Sequence, residues 1–412
     1  MTAGLRFFYR HIYVTGLENI PAKGPAIIIA NHHASLMDAA LLGILLKRKA
    51  YFFARGDVFV NRPIRKILWW LHMMPVHGHQ GGRNTLSAND NSFSSGQQIL
   101  LKGGIIVFFP ESTSHIERQL LPFRKGVFRL AFDTASAGHF SFDIPIIPIG
   151  INYDHPVACR TTVQVHAGQS ISLIGYKNEY AANSAAALLH ICKDAYSAVY
   201  KVALHIADKN RLAAAEQYLI FNRNNHPEKN TAWKIASTTK LEREQTVCTV
   251  INTAAEYEFI KMEEQARSYC NALAAANVTD KAVCSKLPLP IWKKVLLWTG
   301  FPLYLAGLLL NALPVWLARL LVDKKVYRQD FYSWIFVACY AIMYFIWLLV
   351  LLAIFFALGS NYILILPVVT IATGLFAYKY KDWIQESRQQ KKWQALSSAT
   401  KKELAAIRAA IA

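Results

Sequence analysis

The chain has 412 residues, a formal net charge of +19 and 54% hydrophobic residues, with pI ≈ 9.6 and a mean hydropathy of +0.21. A chain both this basic and this apolar points to an anionic membrane surface; without zinc-finger spacing or an RNA-recognition aromatic signature, nucleic acid is disfavoured as the partner. Its six cysteines (Cys159, Cys192, Cys248, Cys270, Cys284 and Cys339) form no Cys-x-x-Cys pair, which fits reduced, structural thiols on a cytosol-facing body.

Residues 1–10 carry arginines and aromatics but lack the apolar core and cleavage site of a secretory signal. They suit a membrane interface or packing on the body that follows. From residue 20 to about 170, short β-branched runs alternate with helical patterns. Strands are expected at 26–30, 49–54, 105–109, 146–151 and 162–166, and helices at 39–46, 62–71, 91–101 and 125–137. This alternation predicts an α/β fold, a mostly parallel or mixed sheet flanked by helices. Residues 175–285 are rich in Ala, Lys, Glu and Gln without a strand signal, and read as amphipathic helices interrupted by a polar loop at 222–227.

Composition changes abruptly at Lys286-Leu287-Pro288-Leu289-Pro290. Residues 295–322 are apolar except for Asn311 and Arg319 and hold Pro302 and Pro314. Residues 334–358 carry no charge and are long enough for a bilayer core of about 30 Å. A third, shorter apolar run covers 362–378. The last two read as a transmembrane hairpin. Lys324, Lys325 and Arg328 before it, and Lys379, Lys381, Arg388, Lys391 and Lys392 after it, place both flanks on the cytoplasmic side. Lys293 and Lys294 look internal as well, so 295–322 is expected to enter and return, bending near Asn311-Ala312-Leu313-Pro314. One kinked crossing is the alternative, and it would put the preceding body outside.

The chemistry-bearing residues fall in the first part. Asn31-His32-His33-Ala34-Ser35-Leu36-Met37-Asp38 follows the apolar run 26–30 and leads into a helix, a strand-to-helix turn where α/β proteins place reactive groups. A neutral imidazole held by a carboxylate takes a proton from a hydroxyl near pH 7; the plain reading of the same residues is a helix cap or polar turn. Phe108-Phe109-Pro110-Glu111-Ser112-Thr113-Ser114 follows another strand and belongs on the same sheet edge. Val76-His77-Gly78-His79-Gln80-Gly81-Gly82-Arg83 combines glycines that admit an anion with a cation. His77 and His79, without a third ligand, read as a polar loop rather than a metal site.

These segments resemble the motifs of the glycerolipid acyltransferases. Residues 31–38 resemble motif I, and the match runs two ways: counting back from Asp38 selects His33 with Ser35 in place, counting forward from Asn31 selects His32. Gly82-Arg83 resembles motif II, residues 108–114 resemble motif III, and Ile146-Ile147-Pro148-Ile149-Gly150-Ile151-Asn152-Tyr153 resembles motif IV. The resemblance implies a catalytic histidine at 32 or 33 paired with Asp38. It also implies acceptor binding by Glu111, Ser112 and Thr113, with Arg55, Gly82, Arg83, Arg124 and Lys125 available to phosphate. The chain departs from motif III at Ser112, where glycine is usual, and at Ser114, where arginine is usual.

The implied activity is O-acyl transfer from acyl-CoA or acyl-carrier protein to glycerol phosphate or a lysophospholipid, by general-base catalysis. The absence of a Gly-x-Ser-x-Gly elbow agrees with direct transfer. No metal or organic cofactor is implied. A non-phosphate lysolipid such as an aminolipid, and a catalytically silent lipid-binding protein, are the alternatives. The expected organisation is a catalytic domain at 1–172, a helical region at 173–290, membrane helices at 291–380 and a basic tail helix at 381–412. The catalytic domain would face the cytoplasm, in keeping with a bacterial inner membrane.

Overall fold

The structure, a computed structural model, describes residues 2–76, 83–228, 230–285, 290–359 and 365–411. It divides into two units. The first comprises Met1–Lys209, Asn230–Cys248 and Arg328–Trp334, and the second Asn210–Lys229, Thr249–Tyr327 and Ile335–Ala412.

In chain order the first unit holds α1 (Thr2–Phe8), β1 (Tyr9–Thr15), β2 (Ala26–Ala30), α2 (Leu36–Leu45), β3 (Ala50–Arg55), α3 (Arg62–Trp70), β4 (Met73–Val76), α4 (Arg83–Leu101), β5 (Ile105–Phe108), α5 (Gly126–Ala137), β6 (Ile146–Tyr153), β7 (Thr161–Ala167), α6 (Lys177–Ala182) and α7 (Ser184–Tyr200). After α8 (Leu212–Asn225), part of the second unit, the chain returns as β8 (Lys234–Ile235) and most of α9 (Thr239–Thr253).

The eight strands form one mixed sheet in the order β4-β3-β5-β2-β6-β7-β1-β8. Neighbours from β4 to β6 are parallel, β6 and β7 are antiparallel, and β7, β1 and β8 are parallel to one another. β2 and β6 are buried at every residue, as β-branched strands covered on both faces should be. On α7, Ala187, Leu188, Ile191, Ala195 and Val199 recur at helical spacing and join Ile27, Ile29, Val127, Phe128 and Ala131 in one core.

This unit departs from the sequence-based expectation in several places, the unexpected strands β1 and β4 among them. The expected boundary at 172 falls inside a single unit, because α6, α7 and 230–248 continue it. The stretch expected to lack strands contributes β8, which pairs Lys234 and Ile235 with Ile12 and Tyr13; two residues are too few to show alternation.

The second unit continues with α10 (Glu256–Ala275), α11 (Asp280–Cys284), α12 (Ile291–Thr299), α13 (Phe301–Lys325), α14 (Gln329–Ala357), α15 (Leu366–Ala395) and α16 (Ser398–Ile411). The first residues of α14, 329–334, are counted with the first unit. Among the described residues, α13 and α14, at 25 and 29 residues, are long and apolar enough to cross a membrane. The third apolar run has no separate end: α15 carries it unbroken into the charged tail.

The expected reversal near Asn311 and Pro314 does not occur; α13 runs unbroken through both. Proline at 314 removes the hydrogen bond to the Leu310 carbonyl, and the indole Nε1 of Trp347 donates to that carbonyl at 2.7 Å instead. Asn311 is equally satisfied, donating to the Gly307 and Thr370 carbonyls at 2.8 and 3.1 Å and accepting from the Tyr344 hydroxyl at 2.8 Å. At Gly307 a Cβ would stand 2.3 Å from the Thr373 carbonyl oxygen, so only glycine permits this approach of α13 to α15. Elsewhere in the unit, buried Asp280 accepts from Arg408, Tyr269 and Asn224, tying α16 and α10 to α8.

In the first unit, the buried His166 imidazole bonds the Thr15 hydroxyl through Nδ1 at 2.6 Å, joining β7 to β1. Burial pulls its pKa from the ordinary 6.5 down to about 4. Above 6.5 the ring is neutral whether the chain is folded or not. Below it, the unfolded chain takes a proton that the folded one refuses until about pH 4, so stability falls across that window by about 3 kcal/mol. Thermal unfolding followed from pH 7 to 4 is expected to show this decline, and His166→Asn to flatten it.

Candidate active site

The parallel arrangement brings the C-terminal ends of β2, β5, β3 and β6 to one edge of the sheet. Asn31 leaves β2 there. Its side-chain Oδ1 accepts from the Ile151 N–H at 2.7 Å and its Nδ2 donates to the Ile151 carbonyl at 2.9 Å. The side-chain amide thus imitates one more step of the β2–β6 ladder and stitches the following loop to β6.

His32 comes next. Its Nδ1 donates to Asp38 Oδ2 at 2.8 Å, and Asp38 is wholly buried while the His32 side chain is 17% exposed. An ionised carboxylate only accepts, so the proton sits on Nδ1 and the lone pair on Nε2. The ring is stacked on Phe109, with centroids 4.1 Å apart and planes at 15°. Asp38 lies in the first turn of α2; its Oδ2 also accepts from the Ala34 N–H at 2.9 Å, and its Oδ1 from the Tyr153 hydroxyl. Burial, then the Asp38 charge, pushes the Tyr153 pKa well above its usual value, so that hydroxyl stays a donor.

His33 faces elsewhere. Its Nδ1 donates to the His115 carbonyl at 3.0 Å, and burial pushes its pKa down. Of the two registers open in the sequence, the folded loop puts His32 on Asp38.

Glu111, buried after β5, fastens the two loops. Oε1 accepts from the His32 N–H at 2.9 Å, and Oε2 from His115 Nε2 and the Leu121 N–H, each at 3.0 Å. The His115 N–H donates back to the His32 carbonyl at 3.2 Å. Both Glu111 oxygens are therefore engaged by this chain's own donors, where the resemblance implied an acceptor contact. Ser112 has φ +63°, which explains why glycine is usual at its position.

Ser114 occupies the position where arginine is usual, and a guanidinium reaches it from far along the chain. Arg328 Nη2 donates to the Ser114 carbonyl at 3.2 Å and to Asp330 Oδ2 at 2.8 Å, and the Ser114 hydroxyl donates to Asp330 Oδ2 at 2.5 Å. Nothing in the motif spacing could have revealed a partner more than two hundred residues away.

The other expected residues are spread more widely. Arg124 and Lys125 are exposed, with the Arg124 N–H on the Pro110 carbonyl at 2.8 Å beside the Glu111 loop. Thr113 is half-buried, and Arg55 is exposed at the end of β3. Gly82 lies outside the described residues, and Arg83 opens α4. Arg118 is buried and donates to the Tyr153 carbonyl at 2.9 Å.

A family model described as Acyltransferase matches residues 11–152, which include both loops. This segment therefore matches an acyltransferase family model, in line with the motif resemblance. It is similar to a chloroplastic 1-acyl-sn-glycerol-3-phosphate acyltransferase of Brassica napus, 28% identical over 33% of this chain and 36% of the relative. A second such chloroplastic enzyme, from Arabidopsis thaliana, is 32% identical over 32% of this chain and 35% of its own. The chain thus spans about a third of the length of these curated relatives. Among solved structures, the 1-acyl-sn-glycerophosphate acyltransferase PlsC of Thermotoga maritima aligns over 49% of this chain and 74% of its own, with a TM-score of 0.36 and 20% identity.

In this segment the left-handed backbone at Ser112 carries a cost of about 1–2 kcal/mol for an L-residue, partly offset by the greater unfolded-state freedom of glycine. Ser112→Gly is expected to raise stability by up to about 1 kcal/mol. Ser112→Val, β-branched in the same conformation, is expected to lower it by about 2 kcal/mol. Unfolding midpoints of the two variants check this.

Proposed function

We propose that the domain moves a fatty acyl group from a thioester, acyl-CoA or acyl-carrier protein, to a hydroxyl of glycerol phosphate or a lysophospholipid at a membrane surface. The observation that carries this is the His32–Asp38 pair, 2.8 Å apart, at the strand edge where the Glu111 loop closes on it. With Nδ1 committed to Asp38, Nε2 is the base. It takes the acceptor's hydroxyl proton as that oxygen attacks the thioester carbonyl carbon. The carbon–sulfur bond then breaks, and the departing thiolate recovers the proton from the imidazolium. Asp38 stabilises the charged ring during this interval and is itself held by Tyr153 and the Ala34 N–H. A positioned base of this kind contributes about 10²–10⁴ in rate.

For the acceptor's phosphate, exposed Arg124 and Lys125 and half-exposed Arg328 supply cations near the Glu111 loop, with Arg55 and Arg83 as further contributors. A guanidinium at Ser114 favours a phosphate-bearing acceptor over an aminolipid, since arginine grips phosphate bidentately. A silent lipid-binding protein would have no use for a base poised by a sealed carboxylate. The charge asymmetry around the long apolar helices supports placing the domain on the cytoplasmic side of the membrane.

Acyl transfer assayed in membranes, with glycerol phosphate, lysophosphatidate and an aminolipid in parallel, tests the reading. His32→Ala and Asp38→Asn are expected to lower turnover by about 10²–10⁴, and His33→Asn by less than about tenfold. Normal turnover in His32→Ala would rule out the mechanism. Arg328→Gln is expected to raise KM for the phosphate acceptor by about tenfold with little change in kcat; an unchanged KM would remove Arg328 from the acceptor site.

A further inference from the structure

Helix α3 stands apart from the rest of the first unit. Only Leu68 on it is buried, whereas Ile64, Ile67, Trp69 and Trp70 are 46, 57, 63 and 77% exposed and Val60, just ahead, is 80% exposed. Outside residues 58–70, Leu101, Ile174, Leu189 and Tyr200 are the other large apolar side chains exposed among the described residues of this unit, and they are scattered. Isolated exposed apolar groups need no explanation, but a contiguous patch does.

The patch has a charge pattern as well. Arg62, Arg65 and Lys66 are exposed, and no acidic residue occurs from 58 to 72. On a helical spacing Ile64, Ile67 and Trp70 form one stripe, and Arg62, Arg65, Lys66 and Trp69 form the stripe beside it. Apolar side chains next to unbalanced cations, with Trp70 at their border and Trp69 among the cations, match the depth profile of a membrane interface: acyl chains below, anionic headgroups at the level of the cations. A protein partner would need acidic side chains placed opposite all three charges, whereas an anionic bilayer presents negative headgroups across its whole surface. The segment leaves β3 at the same sheet edge that carries His32 and Glu111, β3 being the parallel neighbour of β5. Residues 328–334 of this unit lead directly into the apolar helix α14, so the unit is tethered to a helix of bilayer length.

We propose that α3 is an in-plane anchor that lies in the surface of an anionic bilayer and holds the catalytic edge against it. The inference rests on the acyl-transfer reading only for the reason the edge should face lipid. Its test reads tryptophan emission rather than turnover, so either idea can fail alone.

The full chain is placed in phosphatidylcholine–phosphatidylglycerol nanodiscs, with and without dibrominated acyl chains. Subtracting the emission of a Trp69→Phe/Trp70→Phe variant isolates the two α3 indoles, and single Trp70→Phe repeats the subtraction should the double variant unfold. The difference emission is expected to lose most of its intensity to brominated lipid and little to aqueous iodide. Arg62→Gln/Arg65→Gln/Lys66→Gln is expected to shift it toward iodide, by roughly fivefold in the docked ratio per cation removed. Quenching by iodide alone would mean a helix open to water. Protection from both quenchers would mean a protein surface covers it. Either result overturns the proposal.

Discussion

A carboxylate sealed from water must find every partner inside the protein, and Asp38 draws three partners from two segments. The His32 ring, the Ala34 N–H and the Tyr153 hydroxyl surround it. An unpaired buried charge costs several kcal/mol, so the loop after β2 and the end of β6 are drawn toward α2. Asn31 makes the same junction through the backbone of Ile151, and Glu111 closes it from the β5 side. The orientation of the His32 ring is thus a consequence of satisfying one buried acid.

Much of this edge could be read from the chain. The isoleucine run before Asn31, the apolar run before Pro110 and the tyrosine ending 146–153 each become strands whose ends meet, as the alternating pattern implied. The choice between His32 and His33 could not be read, because it depends on backbone dihedrals. Ser35 adopts φ +49° just before α2, and this turn, invisible to spacing arguments, points one imidazole at Asp38 and the other at the His115 carbonyl.

Other misses share a physical cause: the deciding partner lies far away in sequence. Tyr9–Thr15 mixes polar and aromatic residues and becomes a strand between β7 and β8 only because both supply its ladder. Pro314 reads as a bend until Trp347 is seen to satisfy the carbonyl it frees. The departure at Ser114 reads as a lost cation until Arg328 is found against it.

The dispersed makeup of the first unit bears on where the polypeptide could be cut. Stopping it at residue 209 would delete β8 and leave β1 as a bare sheet edge, open to pairing with another molecule. It would also delete Asp330, the acceptor of the Ser114 hydroxyl, and Ser333, which bonds the Pro156 carbonyl just beyond Tyr153. The first unit of this protein is therefore not a contiguous stretch of gene, and separating it from the second means grafting those distant segments back rather than trimming an end.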